Sequence, residues 1–212
     1  MNEHNGRLSG IYAILDHDGA AARLDACLAA GVRLFQYRAK ERATLETARA
    51  LVARCREAGA LLIVNDDLDL TLACGADGLH LGQEDAAAAD LAEVRRRLSG
   101  RLLGISTHDP EQARRSVALG ADYVGAGSCF PTRSKERAVP IGIEGLREIV
   151  AASRVPVAAI GGIDASNVHR VRAAGAAMAA VIAAIAGASD ARLAAAQLVA
   201  AWEGAEIESE AR

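Results

Sequence analysis

Residues 61–85 read LLIVNDDLDLTLACGADGLHLGQED. The stretch holds two short apolar runs, Leu61-Leu62-Ile63-Val64 and Gly78-Leu79-His80-Leu81, each followed at once by polar residues. Near-continuous apolar runs of this length suit strands buried on both faces, as in a parallel sheet covered by helices. Between them, Asp66 to Ala76 leaves room for only a short helix. Two parallel strands joined by a crossover have their C-terminal ends on the same rim. Asp66 and Asp85 therefore stand just past that rim, with Asn65 beside them. Two carboxylates converging there suit a hard divalent cation held against a phosphate. Helix capping explains each aspartate alone, with Asp66 or Asp67 capping the short helix and Asp85 a helix from Ala86. It is the repetition of the placement one strand later that favours a metal.

Working outward, the same alternation of apolar run and longer helical stretch recurs along the chain. Strands are expected at 11–15, 32–37, 61–64, 78–81, 102–105, 123–125, 157–160 and 178–182. Helices fit between most of them, at 20–30, 45–58, 86–98, 110–119, 143–152, 165–173 and 191–202. Ala30-Gly31, Ala58-Gly59, Gly75-Ala76-Asp77, Gly120-Ala121-Asp122 and Ala174-Gly175-Ala176 punctuate helix ends turning into the next strand. Eight β-α units in 212 residues predict an α/β protein made of a single (β/α)8 TIM barrel. An open doubly wound sheet is the runner-up, but the first strand-to-helix turn, Asp16-His17-Asp18-Gly19, lacks a dinucleotide-binding glycine fingerprint. The expected organisation is a polar N-terminal segment over 1–10, a barrel over 11–203 and a frayed tail over 204–212.

Composition agrees with one barrel and narrows its partners. The hydrophobic fraction is 51% with 3% aromatic, which describes an aliphatic, alanine-rich interior. A net charge of -3 argues against nucleic acid as the main partner, while local cations remain free to meet an anionic ligand. Cys27, Cys55, Cys74 and Cys129 have neither paired nor metal-ligand spacing and read as small apolar fillers in a reducing compartment. No signal-peptide core precedes Ser9, and no run reaches the roughly 18 apolar residues of a membrane span, so a cytoplasmic protein is expected. A homo-oligomer is compatible with the chain and is left open.

In a barrel of this kind the chemistry sits on the loops after the strands. Gln36-Tyr37-Arg38-Ala39-Lys40 follows the second strand, and alternation points Gln36, Arg38 and Lys40 to one side. An amide and two cations suit a polyanion, although a solvated strand end explains this motif equally well. Ser106 follows the fifth strand. The longest connection, 125–140, carries Thr132, Ser134 and Lys135, two hydroxyls and a cation for phosphate oxygens. Gly161-Gly162 and Ala183-Ala184 follow the last two strands, where backbone amides commonly form a phosphate cup. His80 reads as a hydrogen-bonded interior histidine, and His108 and His169 have no partner spacing.

QYRAK, VNDDLDLTLACGADGLHLGQED, GISTH, GADYVGAGSCFPTRSK and AIGGI, in this order, closely resemble the thiamine phosphate synthase family over about Ile11 to Ile185. The resemblance implies Mg²⁺-dependent transfer of a hydroxymethylpyrimidine group from its diphosphate to the ring nitrogen of a thiazole phosphate. Its two partners would be these small phosphorylated substrates. Carried over motif by motif, Gln36, Arg38, Lys40, Asn65, Ser106 and Lys135 would bind the pyrimidine diphosphate, with Asp66 and Asp85 on Mg²⁺. Arg38, Ser106 and Lys135 would act on the reacting diphosphate, and Tyr37, Ala39 and Arg133 belong to the same binding segments. Thr132, Ser134, Gly162 and the Ile182-Ala183 turn would hold the thiazole phosphate.

Two positions depart from the family pattern. Ala183 stands where a serine is usual, and Ser128-Cys129 replaces a Gly-Pro-aliphatic run, a change expected to loosen the turn presenting Thr132. A modest effect on thiazole affinity is expected from both. The alternatives are a thiazole tautomerase and a non-catalytic phosphate-binding barrel. A tautomerase typically alters the glutamine of QYRAK and the aspartate after HLGQ, and both are intact here.

Overall fold

The computed structural model describes residues 5–16, 18–132 and 140–204. Along the chain run β1 (Gly10–Leu15), α1 (Ala20–Ala29), β2 (Leu34–Tyr37), α2 (Leu45–Glu57), β3 (Leu61–Asn65), α3 (Leu68–Cys74) and β4 (Gly78–Leu81). They are followed by α4 (Gln83–Ala88), α5 (Leu91–Leu98), β5 (Leu102–Thr107), α6 (Pro110–Ala118), β6 (Tyr123–Gly127) and α7 (Gly142–Ala152). The last elements are β7 (Val157–Ile160), α8 (Val168–Ala173), β8 (Met178–Val181), α9 (Ala183–Ala186) and α10 (Ala191–Glu203). Every strand lies parallel to its neighbours in sequence order, and β1 also pairs with β8, which closes the barrel. All eight C-terminal strand ends therefore share one rim.

Side-chain alternation divides the apolar residues into two layers. Outward-facing Phe35, Leu62, Val64, Leu79, Leu103 and Val124 pack under the helices. Inward-facing Leu34, Leu61, Ile63, Leu102 and Met178 fill the barrel. Leu8 joins this inner cluster at 2% exposure, so the segment before β1 is not merely polar: its one leucine plugs the barrel interior. The four cysteines are free and buried, as their reading as fillers requires. Among the described residues, no helix is long and apolar enough to cross a membrane.

The Gly-Ala-Asp turns do more than end helices. Gly75 caps α3 with φ 74°, a left-handed conformation that glycine adopts without strain. The next aspartates then reach the sheet: Asp77 accepts from the Leu62 N–H and Asp122 from the Leu103 N–H, both at 2.8 Å. Each carboxylate satisfies an amide at the entry of the neighbouring strand. Helix boundaries differ from expectation at three places. The single helix expected over 86–98 is two, because Asp90 accepts from the Ala92 and Glu93 N–H groups and starts α5 afresh. Asp164 and Asn167 form local turns with Ser166 and with one another, which delays α8 to Val168. A short helix, α9, follows β8 where only a turn was expected. The expected tail after Gly204 lies outside the described residues.

Two inward-facing glycines make room for the large side chains of the interior. A Cβ on Gly104 would sit 2.1 Å from Cζ of Tyr123, and one on Gly125 would sit 3.3 Å from Cε1 of His80. Gly104→Ala is expected to lower stability by about 2 kcal/mol through overpacking, read as a shift of the urea midpoint. An unchanged midpoint would show that the Tyr123 ring has room to move aside.

Candidate active site

A cavity of about 540 Å³ opens at the C-terminal rim. Small inward residues on the last strands, Ala158 and Ala180, leave its volume unfilled above the leucine layer. Gln36, Arg38, Lys40, Asn65, Asp66, Asp85, Ser106, Thr132, Gly162, Ile182 and Ala183 all line it, so loops from distant parts of the sequence bring these expected site residues together. Tyr37 and Ala39 do not. Alternation along β2 turns Tyr37 away from Gln36, and the side chains of Tyr37 and Ala39 pack in the layer beneath the helices, outside the cavity lining. Arg133, Ser134 and Lys135 lie outside the described residues.

The two rim aspartates are distinguished from helix caps by their neighbours. Asp67 takes the capping role on α3, accepting from the Leu70 N–H at 2.8 Å, and leaves Asp66 to the cavity. Asp66 accepts instead from the Gly82 N–H across the rim at 3.0 Å and from the Asn65 amide. Asp85 lies in the first turn of α4, two residues inside its first residue, and is not its cap. A Cβ on Gly82 would come within 2.9 Å of Asp85 Oδ2 and 3.7 Å of Asp66 Oδ1, so the carboxylates flank this glycine. Burial, and then the Asp85 charge, push the Asp66 carboxyl above the ordinary carboxylate range despite the Gly82 N–H. Among the described residues neither carboxylate is in an ion pair, and no third carboxylate, histidine or cysteine completes a metal cluster. Two unpaired carboxylates without further protein ligands fit Mg²⁺, which keeps waters and takes substrate phosphate oxygens.

Backbone strain marks the same rim. Lys40 (φ 49°) and Asp66 (φ 62°) are non-glycine residues in the left-handed region, each just past a strand end. Strain of this kind persists where surrounding structure imposes it and clusters at binding sites. Below them, the cavity floor is polar. Gln36 Nε2 donates to Tyr12 Oη at 2.9 Å, and His80 lies 3.0 Å from both Tyr123 Oη and Ser106 Oγ through its two ring nitrogens. His80 is thus the hydrogen-bonded interior histidine expected from its strand position.

His108 and Gln83, which also line the cavity, were not expected there, and Gln112 in α6 links them. Gln112 Oε1 accepts from the His108 N–H at 2.8 Å and from the Gln83 amide, and His108 Nδ1 donates to the Gly127 carbonyl. These bonds tie the start of α4, which bears Asp85, through α6 to the loop after β5 and to the last residue of β6. Only the adjacency of His108 to Ser106 in GISTH hinted at it.

On the opposite side the walls are backbone. A Cβ on Gly162 would lie 2.5 Å from the Pro131 carbonyl oxygen, and one on Gly161 2.2 Å from Ser128 Oγ. Glycine at both positions lets the β6 and β7 loops touch. The Cys129 N–H donates to the Ile160 carbonyl and the Phe130 N–H to the Gly161 carbonyl, at 2.8 and 3.0 Å. Ser128 Oγ donates to the Phe130 carbonyl at 2.7 Å, and the Arg170 guanidinium lies 5.3 Å from the Phe130 ring centroid.

The family model described as thiamine monophosphate synthase matches residues 11–185. The chain belongs to the thiamine monophosphate synthase family. It is 43% identical over 209 residues to a thiamine-phosphate synthase of Halorhodospira halophila, covering 96% of this chain and 99% of that one. To the thiamine-phosphate synthase of Moorella thermoacetica it is 47% identical over 177 residues, covering 81% and 82%. Among solved structures it is similar to the thiamine phosphate pyrophosphorylase of Pyrococcus furiosus, with a TM-score of 0.85, 34% identity and coverage of 93% and 96%.

At the Ser128-Cys129 departure from the family pattern the segment is tied down by local bonds. Two backbone bonds hold the segment onto the end of β7 and the residue after it, and the Ser128 hydroxyl closes the turn on its own Phe130 carbonyl. Cys129 packs in the outer layer, burial pushes its thiol up to about 11, and it takes no part in the cavity. Ala183 keeps its place at the rim without the hydroxyl usual in the family.

The like-charge pair predicts a stability change. Asp85→Asn should raise the melting temperature of the metal-free protein at neutral pH, by only a fraction of a kcal/mol because the groups face solvent. The raised Asp66 carboxyl makes this penalty present above its folded pKa and absent below the ordinary carboxylate range, so the gain should vanish as pH falls. Melts in chelator from about pH 7 to about pH 3 test it. A lower melting temperature for Asp85→Asn would make the carboxylate a helix-supporting group instead.

Proposed function

We propose that this chain joins an aminopyrimidine diphosphate to a thiazole phosphate, giving thiamine phosphate and pyrophosphate, with Mg²⁺ bound by Asp66 and Asp85. Membership of the family supports a transferase in thiamine biosynthesis acting on two small phosphorylated substrates. The observation that carries the division of roles is one cavity with two chemically different sides. Cations and unpaired carboxylates gather at Arg38, Lys40, Asp66 and Asp85, while Gly162, Ile182 and Ala183 offer mainly backbone.

Arg38 and Lys40 would bind the leaving diphosphate, and Gln36, Asn65 and Ser106 would orient the pyrimidine. Thr132 and the backbone at Gly162 and Ala183 would hold the thiazole phosphate. Mg²⁺, when bound, supplies neutralisation of charge on the departing oxygens. An electron-rich aminopyrimidine stabilises positive charge on its exocyclic methylene, so the carbon–oxygen bond breaks ahead of attack by the thiazole nitrogen. That nitrogen has a free lone pair, and no general base is required. The work left to the side chains is to bring carbon and nitrogen together and to exclude water. Nothing in the geometry favours the tautomerase, which has no use for a diphosphate corner. The four buried free thiols support a cytoplasmic location.

Incubation with both substrates and Mg²⁺ should yield thiamine phosphate and pyrophosphate, and chelator should abolish the product. Turnover indifferent to chelator would remove the metal from the assignment. Asp66→Ala and Asp85→Ala should each lower turnover about a hundredfold or more with the fold intact by circular dichroism. A normal rate in either variant would leave that aspartate a structural role only.

A further inference from the structure

Beneath the cavity, five side chains form one hydrogen-bonded line across the barrel. Gln36 Nε2 donates to Tyr12 Oη at 2.9 Å, the Tyr12 and Tyr123 hydroxyls are 2.9 Å apart, and Tyr123 Oη is 3.0 Å from His80 Nδ1. His80 Nε2 is in turn 3.0 Å from Ser106 Oγ. Tyr12 and Tyr123 are 1% and 0% exposed. Burial raises both phenols well above the ordinary range, so each keeps its proton inside the line.

One proton per hydroxyl gives the line a direction. Tyr12 receives a bond from the Gln36 amide nitrogen and must donate to Tyr123; Tyr123 must then donate to His80 Nδ1. With Nδ1 accepting, the neutral ring carries its proton on Nε2 and donates it to Ser106 Oγ. Ser106 is left with its own proton to offer the cavity, and Gln36 with its carbonyl oxygen. Rotating the Gln36 amide would reverse every bond and turn the Ser106 proton back to His80. The two ends cannot change polarity independently.

We propose that this line is a polarity lock in which Tyr12, Tyr123 and His80 are positioning residues that make Gln36 an acceptor and Ser106 a donor together. That pair reads a ligand presenting an amino group at one edge and an unprotonated ring nitrogen at another. The assignment rests on the transferase reading and names its specificity. A lone glutamine accepts an amino or an oxo substituent by turning its amide. Here, turning to meet an oxo group strips the ring nitrogen far from that group of its donor. The oxo ligand carries its ring proton on the nitrogen beside the carbonyl, so the far nitrogen still needs a donor and the ligand loses on one edge what it gains on the other. The selection matters chemically, because the amino group is what stabilises charge on the reacting methylene.

Two measurements test the lock. Nitrogen NMR of His80 in the ligand-free wild-type protein should show the proton on Nε2; a proton on Nδ1 overturns the polarity without any substrate being involved. Dissociation constants for the aminopyrimidine diphosphate and its oxo counterpart should favour the former, and Tyr123→Phe should reduce that ratio about tenfold while the KM for thiazole phosphate stays unchanged. Adding Tyr12→Phe should reduce the ratio no further, since the line is already broken. An unchanged ratio in Tyr123→Phe, or a thiazole KM that rises in step, reduces the phenol to packing. Equal wild-type affinity for both diphosphates sinks the lock alone, whereas binding of neither sinks the transferase reading with it.

Discussion

The contact between the Tyr12 and Tyr123 hydroxyls, 2.9 Å apart with the rings edge-on at 76°, divides the barrel into a filled half and an open half. Eight parallel strands enclose an interior only wide enough for side chains. Leucine and methionine close it below, and two phenols meeting across the axis close it at mid-height. Toward the rim, Gly125, Ala158 and Ala180 leave space on the later strands, and the cavity begins. Hydroxyls at that depth need partners, because an unpaired buried polar group costs about 1–3 kcal/mol. Their partners lead outward to Gln36 and Ser106, so satisfying the core and lining the site are one requirement.

The rim is the unstable part of this design. Lys40 and Asp66 hold left-handed backbone, and Asp66 faces a second carboxylate without a countercharge among the described residues. Closure of the sheet elsewhere holds these groups in place. The division of labour between adjacent residues shows how: Asp67 caps α3 and orders the turn, which frees Asp66 for the cavity. A sequence with only one aspartate there would have to choose between starting the helix and serving the site.

Much of this was legible before any coordinates. The strand runs announced the barrel, and the polar residues after them, Gln36, Arg38, Lys40, Asn65, Asp66, Asp85 and Ser106, meet in one cavity as strand-end placement requires. Tyr37 and Ala39 belong to the same segment, but period-two alternation turns their side chains to the outer layer. Tyr12 and Tyr123 were invisible for a different reason. Each sits within an apolar run and looks like filler, and their contact joins residues 111 apart in sequence. Gly104 gave no signal either, since its need for emptiness belongs to the Tyr123 ring and not to its own backbone. Local pattern reveals which face a residue occupies, while partners across a barrel axis depend on register.

The same distinction explains where the chain departs from its family. The side proposed for the diphosphate relies on side-chain charge and on the proposed directed hydrogen-bond line, so its members are mutually constrained. On the side proposed for the thiazole phosphate, Ala183 lacks the usual hydroxyl, and Ser128 does not replace it, because its proton is already given to the Phe130 carbonyl. Among the described residues, what remains there is Thr132 and the amides that Gly161 and Gly162 bring close to the β6 loop. A backbone amide is supplied by any residue that preserves the turn. Substitutions at positions 128 and 183 therefore leave the backbone donors of the proposed second phosphate subsite in place, whereas a comparable change at Gln36 or Ser106 would propagate through the phenols to the opposite wall.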